Sequence, residues 1–291
     1  MLHFAYGAAS HVGLVREHNE DAGFAGPYLQ LVADGVGGAA AGEVASATTT
    51  YVVTALAMGR PDLDGATLLT QAVAAAHREL QRGSRDDEAR QGMATTLTAV
   101  LARDDRVTLV HVGDSRAYLL RAGELGRLST DQTLVQMLID QGDLRPDQVP
   151  AHPFRNVVLR SVNADAAVEP ALEELDLVVG DRLLLCSDGL TDFVPEPDIV
   201  GALAVDDPDD AARSLVDLAL AAGGRDNVTC LVADLRDGPA MKTDGRLLGA
   251  MQDPRLVVDP AAIRGPAHEG GQRRFPPADN CVRRSDVTQA W

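Results

Sequence analysis

Four short motifs, far apart along the chain, each place an aspartate beside glycines or small polar residues. They are Asn19-Glu20-Asp21, Asp34-Gly35-Val36-Gly37-Gly38, Ser187-Asp188-Gly189 and Arg225-Asp226-Asn227, and most of them adjoin an apolar run. A fold that brings several of these carboxylates to one point must also supply cations, because bare carboxylates repel one another strongly. Ligands that are all oxygen favour hard cations, Mg²⁺ or Mn²⁺, over zinc.

The composition is that of a globular chain with a sizeable core. The sequence has 291 residues, of which 45% are hydrophobic and 24% charged, enough for one large domain or two small ones. Its formal net charge of −17 argues against nucleic acid or an anionic membrane surface as the main partner, because both need a basic footprint. An anionic substrate would also be repelled unless local cations reversed the field at the site.

Cysteine usage and the absence of long apolar segments predict a cytoplasmic protein. The three cysteines, Cys186, Cys230 and Cys281, are odd in number and show no metal-ligand spacing, so no disulfide framework is expected. No apolar stretch approaches 18 residues, so we expect no membrane span. The first residues lack a basic region followed by a long apolar segment, so we expect no signal peptide.

Two regions differ in composition. Residues 1–235 are expected to form one continuous domain, whereas residues 236–291 are rich in Pro and Gly and lack sustained apolar periodicity. Such a segment cannot bury enough apolar surface to offset the entropy of ordering, so it is predicted to be disordered. It is either a dispensable tail or a docking or autoregulatory segment in which Arg273-Arg274 and Arg283-Arg284 contact the acidic domain.

Strands and helices are segregated in a mixed pattern within the first region. Apolar runs predict strands, and 3.6-residue periodicity or Ala-rich stretches predict helices. The predicted strands are residues 28–33, 95–102, 106–112, 116–121, 181–186 and 227–235, and the predicted helices are 42–58, 66–82, 131–141 and 208–222. Hairpin-linked strands followed by paired helices favour antiparallel sheets flanked by helices over a doubly wound parallel sheet.

Eight short motifs in order along residues 3–235 resemble one known family. They are Val15-Arg16 with Asn19-Glu20-Asp21, Val32-Ala33-Asp34-Gly35-Val36-Gly37-Gly38 with Gly42-Glu43, Ala94-Thr95-Thr96-Leu97, Val112-Gly113-Asp114-Ser115-Arg116, Leu128-Ser129 with Asp131, His152-Pro153 with Asn156, Ser187-Asp188-Gly189-Leu190 with Asp192, and Gly224-Arg225-Asp226-Asn227-Val228-Thr229. This set is similar to the metal-dependent protein phosphatases, the type 2C serine/threonine class, in bacterial form. Any one motif is weak, but the ordered set is specific.

The resemblance implies both a fold and an activity. The fold is α+β, a four-layer α/β/β/α sandwich with two central antiparallel sheets and a flap, residues 142–170, near the active site. The activity is hydrolysis of phosphoserine and phosphothreonine in phosphorylated proteins, reversing a bacterial Ser/Thr kinase. Two Mg²⁺ or Mn²⁺ ions per site would activate a bridging water as the nucleophile, and a third, weaker ion is described for bacterial members.

Roles for the central residues follow from the same resemblance. Asp34 would bridge two metals, Gly35 would offer its backbone carbonyl, and Asp188 and Asp226 would each hold a metal. Arg16 resembles the phosphate clamp of the family, and its planar fork suits bidentate binding of phosphate oxygens. The alternative for Arg16 is a surface ion pair with a neighbouring glutamate.

Outer acidic residues have supporting roles in the family. Glu20 would act through a metal-bound water, and Asp21 would have a weaker, structural role. Asp114 and Asp192 resemble the ligands of the third metal, and the four-residue spacing from Asp188 to Asp192 would place both on one face of a helical turn. Asp114 could instead pair with Arg116 and brace its strand.

Several positions depart from the family pattern or have ordinary structural explanations. Val36 stands where some members carry a histidine suited to protonating the leaving group, so that proton would come from water. Ala94 replaces a usual glycine, and Gln132 stands where a histidine is common. Asp131, with Ser129, is expected to cap a helix.

Two other functions stay open on sequence grounds. The metal centre recognises phosphate rather than the leaving group, so other phosphate monoesters are possible substrates. A pseudo-phosphatase that binds phosphoproteins without turnover is the second alternative. Its expected feature is loss of a metal carboxylate, whereas Asp34, Asp188 and Asp226 are all present.

Overall fold

Two antiparallel sheets pack face to face in the structure, a computed structural model that describes residues 1–36, 41–240 and 244–262. The strands in chain order are β1 (Leu2–His11), β2 (Ala22–Ala25), β3 (Leu29–Ala33), β4 (Gly35–Val36), β5 (Ala94–Thr95), β6 (Leu97–Arg103), β7 (Arg106–Val112), β8 (Arg116–Arg121), β9 (Glu124–Arg127), β10 (Val162–Asn163), β11 (Ala171–Leu175), β12 (Arg182–Cys186), β13 (Val228–Asp237) and β14 (Arg246–Gly249). One sheet has the order β1-β13-β12-β8-β9 and the other β11-β7-β6-β3-β2-β14, while β10-β5-β4 form a small third sheet.

Within the described residues, six helices accompany the sheets. They are α1 (Gly42–Gly59), α2 (Gly65–Asp86), α3 (Leu134–Gln141), α4 (Asp188–Thr191), α5 (Glu196–Leu203) and α6 (Pro208–Ala221). Short 3-10 turns cover Glu88–Arg90, Pro146–Ala151, Ala250–Gln252 and Pro254–Leu256. None of the helices in the described ranges is long and apolar enough to cross a membrane.

Three apolar layers hold these elements together. The layer between the two large sheets includes Phe4, Val32, Val100, Leu109, Leu183, Leu185 and Leu231. Helices α1 and α2 cover the outer face of the six-stranded sheet, and α5 and α6 cover that of the five-stranded sheet. The order of layers is therefore helix, sheet, sheet, helix, which confirms the predicted α+β sandwich.

Local sequence explains several element boundaries. The hairpin between β6 and β7 turns at Asp104 and Asp105, whose φ angles of 51° and 59° are left-handed, as a tight two-residue turn requires and as aspartate tolerates. Helix α6 begins at Pro208 after Asp207, whose side chain accepts from the N–H groups of Asp209 and Asp210. These two boundaries are therefore specified by local sequence.

The helix predicted at 131–141 begins later than expected. Thr133 is its N-cap, and its hydroxyl accepts from the N–H of Gln136 at 3.3 Å. Asp131 is therefore not a capping residue, because a closer hydroxyl already satisfies the first turn. Its carboxylate binds Arg116 and Arg127 instead.

The prediction of disorder after residue 235 is wrong for residues 244–262. Strand β14 pairs with β2 at the edge of the six-stranded sheet, and Leu248, Met251 and Val257 are buried. Composition failed because a four-residue strand with a few apolar anchors needs only an existing sheet edge and a helix, α1, to pack against. The arginine pairs of the predicted tail lie outside the described residues.

Candidate active site

Five aspartates from distant parts of the chain converge where strands of both large sheets end. Asp34 follows β3, Asp114 follows β7, Asp188 begins α4 directly after β12, Asp21 precedes β2 and Asp226 lies two residues before β13. Their charges act on one another: Asp34 experiences the other four. The structure therefore brings together the acidic residues that the sequence singled out.

The backbone of Asp34 is fixed from two sides. Its N–H donates to Thr96 Oγ1 at 2.9 Å. Its carbonyl accepts from the N–H of Thr96 and from the hydroxyl of Thr95, both at 2.8 Å. Thr96 Oγ1 in turn lies 2.7 Å from Ser115 Oγ. The two threonines thus fix the backbone that carries the central carboxylate.

Burial and like charge raise the pKa of the central carboxyls. Burial is the largest cause for both Asp34 and Asp188, and the neighbouring carboxylates add to it. For Asp34 the next cause is the charge of Asp21, and for Asp188 it is that of Asp114. Such a set is unfavourable without compensating positive charge.

Asp21 lies deepest in the cluster. Its carboxylate is fully buried, and Oδ2 accepts from Ser187 Oγ at 2.7 Å. Oδ1 has no hydrogen-bond partner among the described residues. Burial, above all, raises the pKa of Asp21 to about 6. An unpaired buried oxygen costs about 1–3 kcal/mol, so this atom is suited to a cation or a cation-bound water.

Asn227 joins the loop that carries Glu20 to the start of β13. Its Nδ2 donates to the carbonyls of Val12 and His18, each at 2.9 Å, and its Oδ1 accepts from the N–H of Glu20 at 2.8 Å. The sequence motif includes Asn227 but assigned it no role. The available signal was its position directly after a candidate ligand, Asp226.

Two glycines allow close backbone approach within the cluster. A Cβ at Gly189 would lie 1.9 Å from the carbonyl oxygen of Asn227, and one at Gly35 would lie 2.6 Å from the carbonyl carbon of Gly42. Any side chain at these positions would force the segments apart. The Asp188 and Asp226 segments meet only because residue 189 is glycine.

Arg16 contacts a candidate ligand rather than a neighbouring glutamate. Its Nη2 donates to Asp226 Oδ2 at 2.8 Å, while about half of its side chain stays exposed. Glu20 lies close by, half-buried. Burial and then the charge of Glu43 raise its pKa, while the charge of Arg16 opposes this. Arg16 thus lies at the open rim of the cluster.

Asp114 and Asp192, the candidate ligands of a third metal, lie close enough to Asp188 for their charges to act on it. The N–H of Asp192 donates to the carbonyl of Asp188 at 2.9 Å, so both are on one helical turn, as the spacing predicted. Burial first, and then the charge of Asp131, raise the pKa of Asp114 to about 6.

Asp114 is not braced by Arg116, which was the alternative. The guanidinium of Arg116 binds the carboxylate of Asp131 through two nitrogens, at 3.2 and 2.7 Å. This pair was missed because a separation of 15 residues gives no local pattern. Gln132 also has a definite role: its Oε1 accepts from the N–H of Gly113 at 3.0 Å, directly before Asp114.

The donor set fits hard divalent cations. Among the residues that the structure describes, no three His, Cys, Asp or Glu side chains are close enough to hold a metal by themselves. Mg²⁺ and similar ions bind through one or two carboxylates and keep several waters, so a complete side-chain cage is not required. The mutually repelling carboxylates and the partnerless Oδ1 of Asp21 are the features that such ions would satisfy.

A sandwich of two antiparallel sheets with an oxygen-rich cation site at the strand ends is the architecture that the sequence motifs predicted. The model of the family described as protein phosphatase 2C matches residues 15–222. The chain belongs to this family.

Curated relatives and solved structures agree with this assignment. The serine/threonine protein phosphatase PstP of Mycobacterium tuberculosis is 42% identical over 274 residues, which cover 92% of this chain and 52% of that protein. The serine/threonine phosphatase stp of Listeria monocytogenes is 32% identical over 236 residues, covering 76% of this chain and 92% of that protein. A crystal structure of the PstP catalytic domain in complex with two manganese ions is similar at a TM-score of 0.73 and 42% identity, covering 81% of this chain and all of that one. The chain spans about half the length of the PstP relative it matches.

Proposed function

We propose that the chain is a metal-dependent phosphatase of phosphoserine and phosphothreonine in proteins. The observation that carries this proposal is the convergence of Asp21, Asp34, Asp114, Asp188 and Asp226 at one end of the sheets. Family membership and the names of the relatives support the same activity. A −17 protein can act on anionic phosphoproteins only if cations reverse the field locally.

Two Mg²⁺ or Mn²⁺ ions would be held by Asp34, Asp188 and Asp226, with the carbonyl of Gly35 and, through water, Glu20. Asp114 and Asp192 would hold a third. Bound ions of this kind neutralise phosphate oxygens and lower the pKa of the attacking water. Two manganese ions in the PstP catalytic domain agree with this number.

The chain's own residues position the phosphate and the ligands. Arg16, exposed at the rim and 2.8 Å from Asp226, can turn its remaining N–H groups toward phosphate oxygens. Thr95 and Thr96 keep Asp34 from shifting, and Asn227 keeps Glu20 near Asp226. A rigid mount matters because small displacements of a reacting group cost much of the rate.

Proton delivery to the leaving oxygen does not come from residue 36. Val36 pairs with Ala94 in the small sheet and carries no transferable proton. The serine or threonine alkoxide would therefore take its proton from water.

A Ser/Thr kinase is the expected counterpart of this activity, since a phosphatase needs an enzyme that makes its substrates. Protein kinases use ATP as phosphoryl donor, so we place this domain in the cytoplasm, where ATP and its products are found.

Turnover with defined metals tests the activity. Hydrolysis of a phosphothreonine peptide and of an aryl phosphate is measured with Mn²⁺, with Mg²⁺ and with chelator. We expect turnover of both with either metal and none with chelator. Binding of the phosphopeptide without turnover under all conditions would instead favour the non-catalytic alternative, and turnover that chelator leaves unchanged would exclude the metal-dependent mechanism.

A further inference from the structure

A groove of about 510 Å³ lies beside the carboxylate cluster, between helix α3, strand β11 and the end of the flap. Its apolar lining comes from Leu109, Leu128, Met137, Leu159 and Leu172. Met137, Leu159 and Leu172 each expose more than a third of their surface. An exposed apolar lining next to a site is typical of a binding groove.

The groove follows the free edge of the six-stranded sheet. Strand β11 pairs with β7 on one side, and no described strand pairs with its other side. Backbone N–H and C=O groups on such an edge can pair with an extended peptide, which then places alternate side chains into neighbouring pockets. The geometry thus suits an extended segment of another protein.

The wall of the groove adjoins the loop that carries Asp114. Asp131 and Gln132 are part of this wall. The N–H of Gln132 donates to the carbonyl of Gly113 at 2.8 Å, and the next residue is Asp114. This contact places the groove on the Asp114 side of the cluster, where it can meet the part of a substrate next to its phosphorylated residue.

The wall formed by α3 and β11 carries uncompensated negative charge. Asp140 and Glu173 are exposed and form no ion pair with any residue in the described ranges. Asp131, by contrast, is neutralised by Arg116 and Arg127. The flap contributes one cation, Arg160, to the lining.

We propose that this groove binds the part of a substrate protein next to its phosphorylated residue, and that it selects an apolar side chain together with an arginine or lysine. The proposal rests on the phosphatase activity proposed above. The apolar side chain would enter between Leu109, Leu128 and Met137, and the basic one would meet Asp140 and Glu173. Selectivity for substrates is thus assigned to β11, α3 and the part of the flap that lines the groove, Leu159 and Arg160.

A second copy of the chain is a poorer occupant of the same edge. Two β11 strands paired antiparallel about their centres would place Glu173 opposite Glu173, and like charges directly opposite each other destabilise a sheet. The acidic wall favours a basic partner instead.

Matched peptides and variants test the proposal. One phosphothreonine peptide series carries a leucine–arginine pair on the amino side, on the carboxyl side, or not at all, and another carries leucine–glutamate. Values of kcat/KM and binding by fluorescence anisotropy are measured for the wild type, Asp140→Asn, Glu173→Gln and Glu174→Gln. Glu174 is the control, because it lies on the same strand but pairs with Arg106 outside the groove.

On one side of the phosphothreonine, the leucine–arginine pair should give the wild type a higher kcat/KM than the leucine–glutamate pair. Asp140→Asn and Glu173→Gln should each reduce this preference by about two- to fivefold, as expected for a partly exposed ion pair. Glu174→Gln should keep it, and hydrolysis of an aryl phosphate should be unchanged in all variants. Equal use of all peptides by the wild type, or an equal loss in Glu174→Gln, would overturn the proposal.

Other occupants give different results. If arginine selectivity appears only after residues 263–291 are removed, the groove belongs to that segment and the proposal is wrong. It is also wrong if light scattering shows a dimer that Glu173→Gln strengthens, because that substitution removes the repulsion between the two Glu173 side chains. Anisotropy distinguishes failure of the groove proposal from failure of the proposed activity. Selective binding without any turnover would refute the activity and still support the groove assignment.

Discussion

The carboxylate cluster and the groove beside it are built in opposite ways. The cluster is buried, its backbone is fixed by Thr95, Thr96 and Asn227, and its charges repel one another. The groove is open, lined by half-exposed Met137 and Leu159, and flanked by the largely exposed flap. Rigid placement suits groups that must hold cations in one geometry, whereas an open surface suits recognition of varied protein segments.

This difference predicts that substitutions in the two regions will separate turnover from selectivity. Changes in the cluster should reduce hydrolysis of every substrate, because all of them need the same cations. Changes in the groove should alter the ranking of peptides and leave aryl phosphate hydrolysis intact. Stability should respond to the elements that brace the cluster and hardly at all to the flap.

The largest effect is expected at the central carboxylate. Asp34→Asn should reduce turnover of peptide and aryl phosphate by about a thousandfold, because a charged cation ligand is lost while the backbone of residue 34 stays in place. Unfolding without metal should need at least as much free energy as in the wild type, since one repelling charge is removed. Steady-state kinetics and thermal melts measure both, with Asp217→Asn on the exposed face of α6 as control.

Residues 244–262 should stabilise the segment that carries Asp21. The N–H of Ala250 donates to the carbonyl of Asp21 at 2.7 Å, and Leu248, Met251 and Val257 are buried. A chain ending at residue 243 should lose about 3 kcal/mol of unfolding free energy, from three apolar side chains at about 1.5 kcal/mol each with an allowance for the unfolded state. Urea denaturation compares it with a chain ending at residue 262. Equal midpoints would show that this segment contributes nothing.

A smaller effect is expected at the ion pair between Arg116 and Asp131, a residue of the groove wall. Asp131→Ala leaves the guanidinium of Arg116, which is only 26% exposed, without its bidentate partner. We expect a loss of about 2 kcal/mol of unfolding free energy, less than for a fully buried pair because some solvent reaches the arginine. The double variant with Arg116→Met should recover part of this loss, and failure to recover any would argue against the pair as the cause.

The smallest effect is expected in the flap. Phe154→Ser removes a side chain that is 56% exposed, and the unfolding free energy should change by no more than about 0.5 kcal/mol. Aryl phosphate hydrolysis should also stay the same. A large loss of stability would mean that the flap is part of the folded core, which would contradict its description as an exposed segment.

The sequence was sufficient for features that local pattern determines. Asp34 directly follows a buried strand, Asp188 is the second residue after another, and the aspartate pair between β6 and β7 forms a tight turn. The element types succeeded because apolar runs and turn residues act within a few residues of one another. The layered fold was implied by the family resemblance that the ordered motifs carry.

Features that depend on distant partners were missed. Strand β14 exists because β2 offers it an edge, and Arg116 meets Asp131 across a turn that no periodicity marks. Asp131 does not cap the helix, because the hydroxyl of Thr133 already accepts from the first turn. The position of the groove also could not be predicted, since it depends on how α3 packs beside β11.

Counting bound cations tests the central claim most directly. Isothermal titration of the wild-type chain with Mn²⁺ should show at least two ions per chain, with fewer in Asp34→Asn and an unchanged number in Asp217→Asn. Such a result would establish that the converged carboxylates exist to hold cations. Fewer than two ions in the wild type, or the same number in Asp34→Asn, would contradict the account.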